Sequence, residues 1–113
     1  MTKPFLFAAL MAMSAGAFAH AGHCEKAVGI EKARCDRHTT MAGKCGAVKG
    51  EEHFACDREF LLANPLDCTK LTGDDAGKCE KETASFKNCE AKTGREFLRC
   101  VRREIKDDPV GHH

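Results

Sequence analysis

Cys45-Gly46-Ala47-Val48-Lys49-Gly50-Glu51-Glu52-His53-Phe54-Ala55-Cys56 sets the frame of this chain: a cysteine, four residues, a glycine, five residues, a cysteine. The same frame runs from Cys24 through Gly29 to Cys35, from Cys68 through Gly73 to Cys79, and from Cys89 through Gly94 to Cys100. It uses all 8 cysteines. Moving 44 positions along the chain carries the first two copies onto the last two, so the sequence is a tandem duplication with a sub-repeat in each half. Outside the frame, Gly50-Glu51-Glu52-His53-Phe54-Ala55-Cys56 aligns with Gly94-Arg95-Glu96-Phe97-Leu98-Arg99-Cys100. Asn64-Pro65 marks the seam between halves and is answered by Asp108-Pro109.

Apolar residues recur at helical spacing, as at Ile30, Met41, Cys45 and Val48, and at Phe97, Val101 and Ile105. No stretch alternates as a strand would. The spacing predicts an all-α fold of disulfide-stapled helical hairpins in two tandem 44-residue repeats. Each half should hold a short helix, a long helix (about 30–48 and 74–92) and a medium one (about 51–63 and 95–107). Gly29, Gly50, Gly73 and Gly94 are read as turn glycines that end one helix in the left-handed conformation and reverse the chain. At the seam, Asn64 is read as a cap with Pro65 in the first helical position.

A cysteine five residues before such a turn and one six residues after it lie at similar heights on antiparallel neighbours. That geometry favours Cys24–Cys35, Cys45–Cys56, Cys68–Cys79 and Cys89–Cys100. A second arrangement nests the bridges, Cys24–Cys56 outside Cys35–Cys45, and needs a reversal near residues 39–43 and 83–87. In the first arrangement each bridge closes a short loop worth roughly 2.8 kcal/mol of chain entropy. Such staples suit a chain with little oil: from His20 onward there are 15 Leu, Ile, Val and Phe among 94 residues, with no Trp or Tyr.

Residues 1–19 read as an export signal: Lys3, an apolar run from Phe5 to Met13, and a cut after Ala19 or Ala21. The domain plan is then 1–19 signal, 20–64 repeat 1 and 65–113 repeat 2, with a periplasmic or secreted destination, where disulfides persist. After Ala19 the chain has 17 basic and 17 acidic residues, which speaks against nucleic acid or an anionic membrane as partner. No membrane span is expected once the signal is removed.

The stretch Cys45 to Cys56 resembles the repeats of periplasmic PsiF-type proteins, with a cysteine, a nearby alanine, Lys-Gly, charged residues, an aromatic and a closing cysteine. Cys89 to Cys100 is similar, while the family's own cysteines are spaced more widely. The resemblance implies a short, exported, duplicated protein and no catalysis.

Side chains that could carry chemistry are few. No C-x-x-C occurs, so neither a zinc thiolate site nor a thioredoxin-like role is indicated. Ser85 is the only serine after the signal, and no histidine or carboxylate is placed to activate it. No enzyme and no cofactor is expected. The carboxylates alternate with Lys and Arg at helical spacing and read as solvated ion-pair faces. Of the 6 histidines, His38 reads as helix surface and His53, aligned with Phe97, as a packing position. His20, His23, His112 and His113 sit near the ends and are the candidate ligands for copper, nickel or zinc. The sequence thus points to a non-enzymatic binding or stress-resistance module with an unknown protein or small-ligand partner. The alternative is a metal binder using its terminal histidines, alone or with cysteines.

Overall fold

The computed structural model describes residues 24–110. Among the described residues, after a helical end at Cys24-Glu25, come α1 Gly29–Cys45, α2 Glu51–Ala63, α3 Gly73–Cys89 and α4 Gly94–Ile105. A short 3-10 turn, Cys68–Lys70, precedes α3. The fold is all-α in two disulfide-stapled repeats, as the spacing predicted: one bridge in each joins the two helices of a hairpin, α1–α2 or α3–α4, and the other ties the segment before the long helix to it.

The halves pack on each other. Helix α1 lies against α3 and α2 against α4, so the four helices close a ring through the contacts α1–α2, α2–α4, α4–α3 and α3–α1. The core draws on all four helices. It takes Met41 and Cys45 from α1, Phe60 and Leu61 from α2, Phe86 and Cys89 from α3, and Phe97, Leu98, Val101 and Ile105 from α4. Arginine stems widen this small interior: Arg37 lies over Phe86 at 5.6 Å, Arg58 over Phe97 at 5.8 Å and Arg95 over Phe54 at 4.7 Å. Arg58 also donates to the carbonyls of Lys92 (2.8 Å) and Glu90, tying α2 to the loop after α3.

The helix ends differ from the sequence reading in three ways. The long helices stop at the cysteines, Cys45 and Cys89, three residues earlier than expected, because the staple turns the chain there and Val48-Lys49 already lies outside the helix. The turn glycines open the following helix instead of closing the one before it. Gly29 and Gly73 are first residues of α1 and α3 with φ of 60° and 56°, and Gly50 precedes α2 with φ 68° and ψ −143°. At the seam, Pro65 starts no helix; Asn64 closes α2 by donating to the Phe60 carbonyl (2.9 Å), and Asp67 caps the 3-10 turn by accepting from the Thr69 N–H (3.1 Å).

Gly94 needs its glycine for another reason. It has no positive φ, but a Cβ there would meet the Phe54 Cβ and the Ala55 backbone nitrogen at 3.2 Å, so the missing side chain lets α4 approach α2. Around Gly50 there is open space, and the constraint is backbone conformation alone. Gly50→Ala should therefore destabilise by about 1–3 kcal/mol through strain. Gly77→Ala, in an exposed turn of α3 with nothing within 4 Å, should stabilise by about 0.5–1 kcal/mol. Urea unfolding of both variants checks the opposite signs.

Candidate functional site

All eight cysteines are paired, in the bridges Cys24–Cys35, Cys45–Cys56, Cys68–Cys79 and Cys89–Cys100, with Cα–Cα distances of 5.5–5.9 Å. Continuous helix through residues 39–43 and 83–87 leaves no reversal for nested bridges. A cystine sulfur has no thiolate to offer a metal. The one cluster of three ligand-type side chains among the described residues, Cys89, Cys100 and Glu104, is such a cystine beside an exposed carboxylate. Ser85 is buried, and its hydroxyl faces the Cys89 sulfur at 3.8 Å. His20, His23, His112 and His113 lie outside the described residues.

The main charged constellation was read from sequence as helix surface and is not. Glu82 of α3 is wholly buried. Its Oε1 accepts from Arg34 Nε (3.0 Å) and Arg37 Nη2 (3.1 Å), and its Oε2 from Arg37 Nη1 (3.0 Å). The two arginines belong to the other repeat and reach onward to the segment after α4: Arg34 Nη1 to Asp107 (2.7 Å), Arg37 Nη2 to the Pro109 carbonyl (2.9 Å). Lys106 makes that reach possible. It leaves α4 in the left-handed conformation, φ 55°, unusual for a side chain of its size, and turns Asp107 back towards α1.

Burial works against the charge of Arg34, but the hydrogen bond to Asp107 and the field of Glu82 outweigh it and raise its pKa. Burial likewise opposes ionisation of Asp107, but the hydrogen bonds from Arg34 and the Asp108 N–H, with the charges of Arg34 and Lys78, together outweigh it and hold that carboxyl below its usual range. The chemistry of this cluster is cross-linking: one carboxylate clamps two guanidiniums across the repeat boundary. A hint lay in the alignment, where repeat 1 has Arg34 and Arg37 at the positions of Lys78 and Lys81 in repeat 2. Arginine is the cation suited to buried, forked ion pairs.

A second pair stands at the α1–α2 junction. His53 and Asp57 occupy the positions that in repeat 2 hold Phe97 and Val101, both wholly buried. The His53 ring keeps the edge-packing place expected of it, against Phe54 with centroids 5.6 Å apart. Its Nδ1 lies 2.9 Å from the Cys45 carbonyl oxygen and its Nε2 3.2 Å from Asp57 Oδ2. Burial raises the Asp57 pKa, partly countered by the charge of His53. Sequence reasoning missed Asp57; its alignment with Val101 is the signal that could have found it.

A shallow groove of about 310 Å³ runs along the seam, between Thr40 and Arg37 of α1 and Phe60, Asn64 and Leu66. Among the described residues, no helix is long and apolar enough to cross a membrane. Compared with models of known families, with curated proteins and with solved structures, the chain matches none.

Proposed function

We propose that this chain is an exported, disulfide-stapled module that works by binding and not by catalysis, shaped to keep its form under harsh conditions. The observation that carries the reading is the pairing of all eight cysteines across helix junctions in a chain with so small an apolar core. The apolar leader-like start and the resemblance of residues 45–56 to PsiF-type repeats support the exported destination. The seam groove, lined by Phe60, Thr40 and Asn64 among others, is a place for a small ligand. To test the reading, the full chain is expressed with its own leader and the cells are fractionated. The product should be found outside the cytoplasm, begin at His20 or Gly22, and expose no thiol to alkylation before reduction. A full-length cytoplasmic product with reactive thiols would end the proposal.

A second reading, metal binding by His20, His23, His112 and His113, draws support from where the two ends are held. Cys24 is bridged to Cys35, and the Pro109 carbonyl is bound by Arg37, two residues further along α1. Imidazoles on tails rooted along that helix can serve one copper, nickel or zinc ion. Replacing the four histidines by alanine and titrating with these ions tests it. Unchanged affinity would refute it.

A further inference from the structure

The His53–Asp57 pair poses a problem of lone pairs. The Cys45 carbonyl oxygen can only accept, so the imidazole N–H that meets it at 2.9 Å must be on Nδ1. In the neutral ring the other nitrogen, Nε2, then carries a lone pair, and it lies 3.2 Å from Asp57 Oδ2. Asp57 is 6% exposed, and this ring nitrogen is the sole polar partner of its side chain among the described residues. Two electron-rich atoms 3.2 Å apart in a nearly dry place need positive charge beside them, which a proton on Nε2 or a metal ion can supply.

The fold does not require the pair. Repeat 2 fills the same two positions with Phe97 and Val101, both fully buried. A histidine and a carboxylate that replace an apolar pair one helical turn apart weaken the core locally, and such departures mark functional positions.

We propose that His53 Nε2 and Asp57 Oδ2 form a binding site for one divalent transition-metal ion of the copper(II), nickel(II) or zinc(II) class. Metal–nitrogen and metal–oxygen bonds of about 2.0–2.2 Å would place the ligand atoms on either side of the ion at an angle of about 100°. That lies between the octahedral and tetrahedral values, so the separation of the two atoms suits one ion. The hydrogen bond from Nδ1 to the Cys45 carbonyl orients the ring and strengthens the ligand, as second partners of metal-bound imidazoles do. The ion also supplies the positive charge that the buried carboxylate lacks. Imidazole selects late first-row ions over magnesium and calcium, which prefer all-oxygen surroundings. The His53 side chain is 36% exposed, leaving open positions on the ion for water or for a donor group of an outside ligand.

This site is separate from the terminal histidines, and the experiment keeps the two apart. The mature chain carrying His20→Ala, His23→Ala, His112→Ala and His113→Ala is titrated with copper(II), nickel(II), zinc(II) and magnesium chlorides, following heat uptake and thermal midpoint. One equivalent of copper(II) should bind and raise the midpoint, nickel and zinc should bind less tightly, and magnesium should do nothing. Asp57→Asn should weaken copper(II) binding at least tenfold. The double variant His53→Phe with Asp57→Val copies repeat 2, so it should fold and lose the metal response altogether. A tail-substituted chain that ignores all four ions would overturn the proposal, the pair then holding a proton only. A response that survives in the double variant would also overturn it, placing the ion elsewhere.

Discussion

Replacing Glu82 by glutamine should lower the unfolding free energy by about 3–5 kcal/mol, a large share of what a domain of this size has. Both Glu82 oxygens accept from arginine, and a glutamine must turn an N–H₂ towards one of those guanidiniums. Two cations would remain in the interface, with Asp107, itself 39% exposed, as the sole carboxylate reaching in from the other repeat. At roughly 4–8 °C per kcal/mol the midpoint should fall by at least about 12 °C. The loss comes from stranding buried charge, not from the net worth of the ion pairs. Replacing the whole cluster (Arg34→Met, Arg37→Leu and Glu82→Leu together) should therefore recover most of the stability. Thermal unfolding of both variants decides the matter. A Glu82→Gln protein within 1 °C of the parent would mean that water reaches the guanidiniums and that the repeats are not locked here.

Reduction should have a larger effect still. Four loops at roughly 2.8 kcal/mol each give on the order of 11 kcal/mol of chain-entropy stabilisation, comparable with the entire stability of a small domain. The fully reduced and alkylated chain should thus lose most of its helical circular dichroism at 25 °C. Single bridges offer a finer comparison, because every one spans the same sequence separation of 11. The loop-closure contribution is then equal, and differences between bridges report packing. Cys89 and Cys100 belong to the core cluster, whereas Cys24 and Cys35 lie outside it. Substituting alanine for both Cys89 and Cys100 should cost about 1–2 kcal/mol more than the same change at Cys24 and Cys35, from apolar volume withdrawn from the core. Equal losses would mean the sulfurs contribute nothing to packing.

The two arguments rest on features of unequal legibility. Bridge pairing was readable because it is local: a period of 11 and a glycine between partners leave little choice once both partners sit on short helices. Helix limits were read a few residues too long, since nothing in Val48-Lys49 or Ala91-Lys92 shows that the staple has already turned the chain. The role of the glycines was half readable. Three of the four do carry positive φ, but at helix starts, and Gly94 answers a contact with Phe54 and Ala55, some 40 residues away in sequence, that no local pattern announces.

Helix positions and the pairing of sulfurs follow from the order of residues alone, because both depend on neighbours within about a dozen positions. Which charges go inside was decided by tertiary structure. Glu82 meets Arg34 and Arg37 across 45 to 48 residues, and Arg34 meets Asp107 across 73. Along a helix these side chains look like any solvated ion-pair face. Only the packing of α1 on α3 removes the water that would otherwise screen them, and that removal turns an ordinary glutamate into the bond between the two repeats.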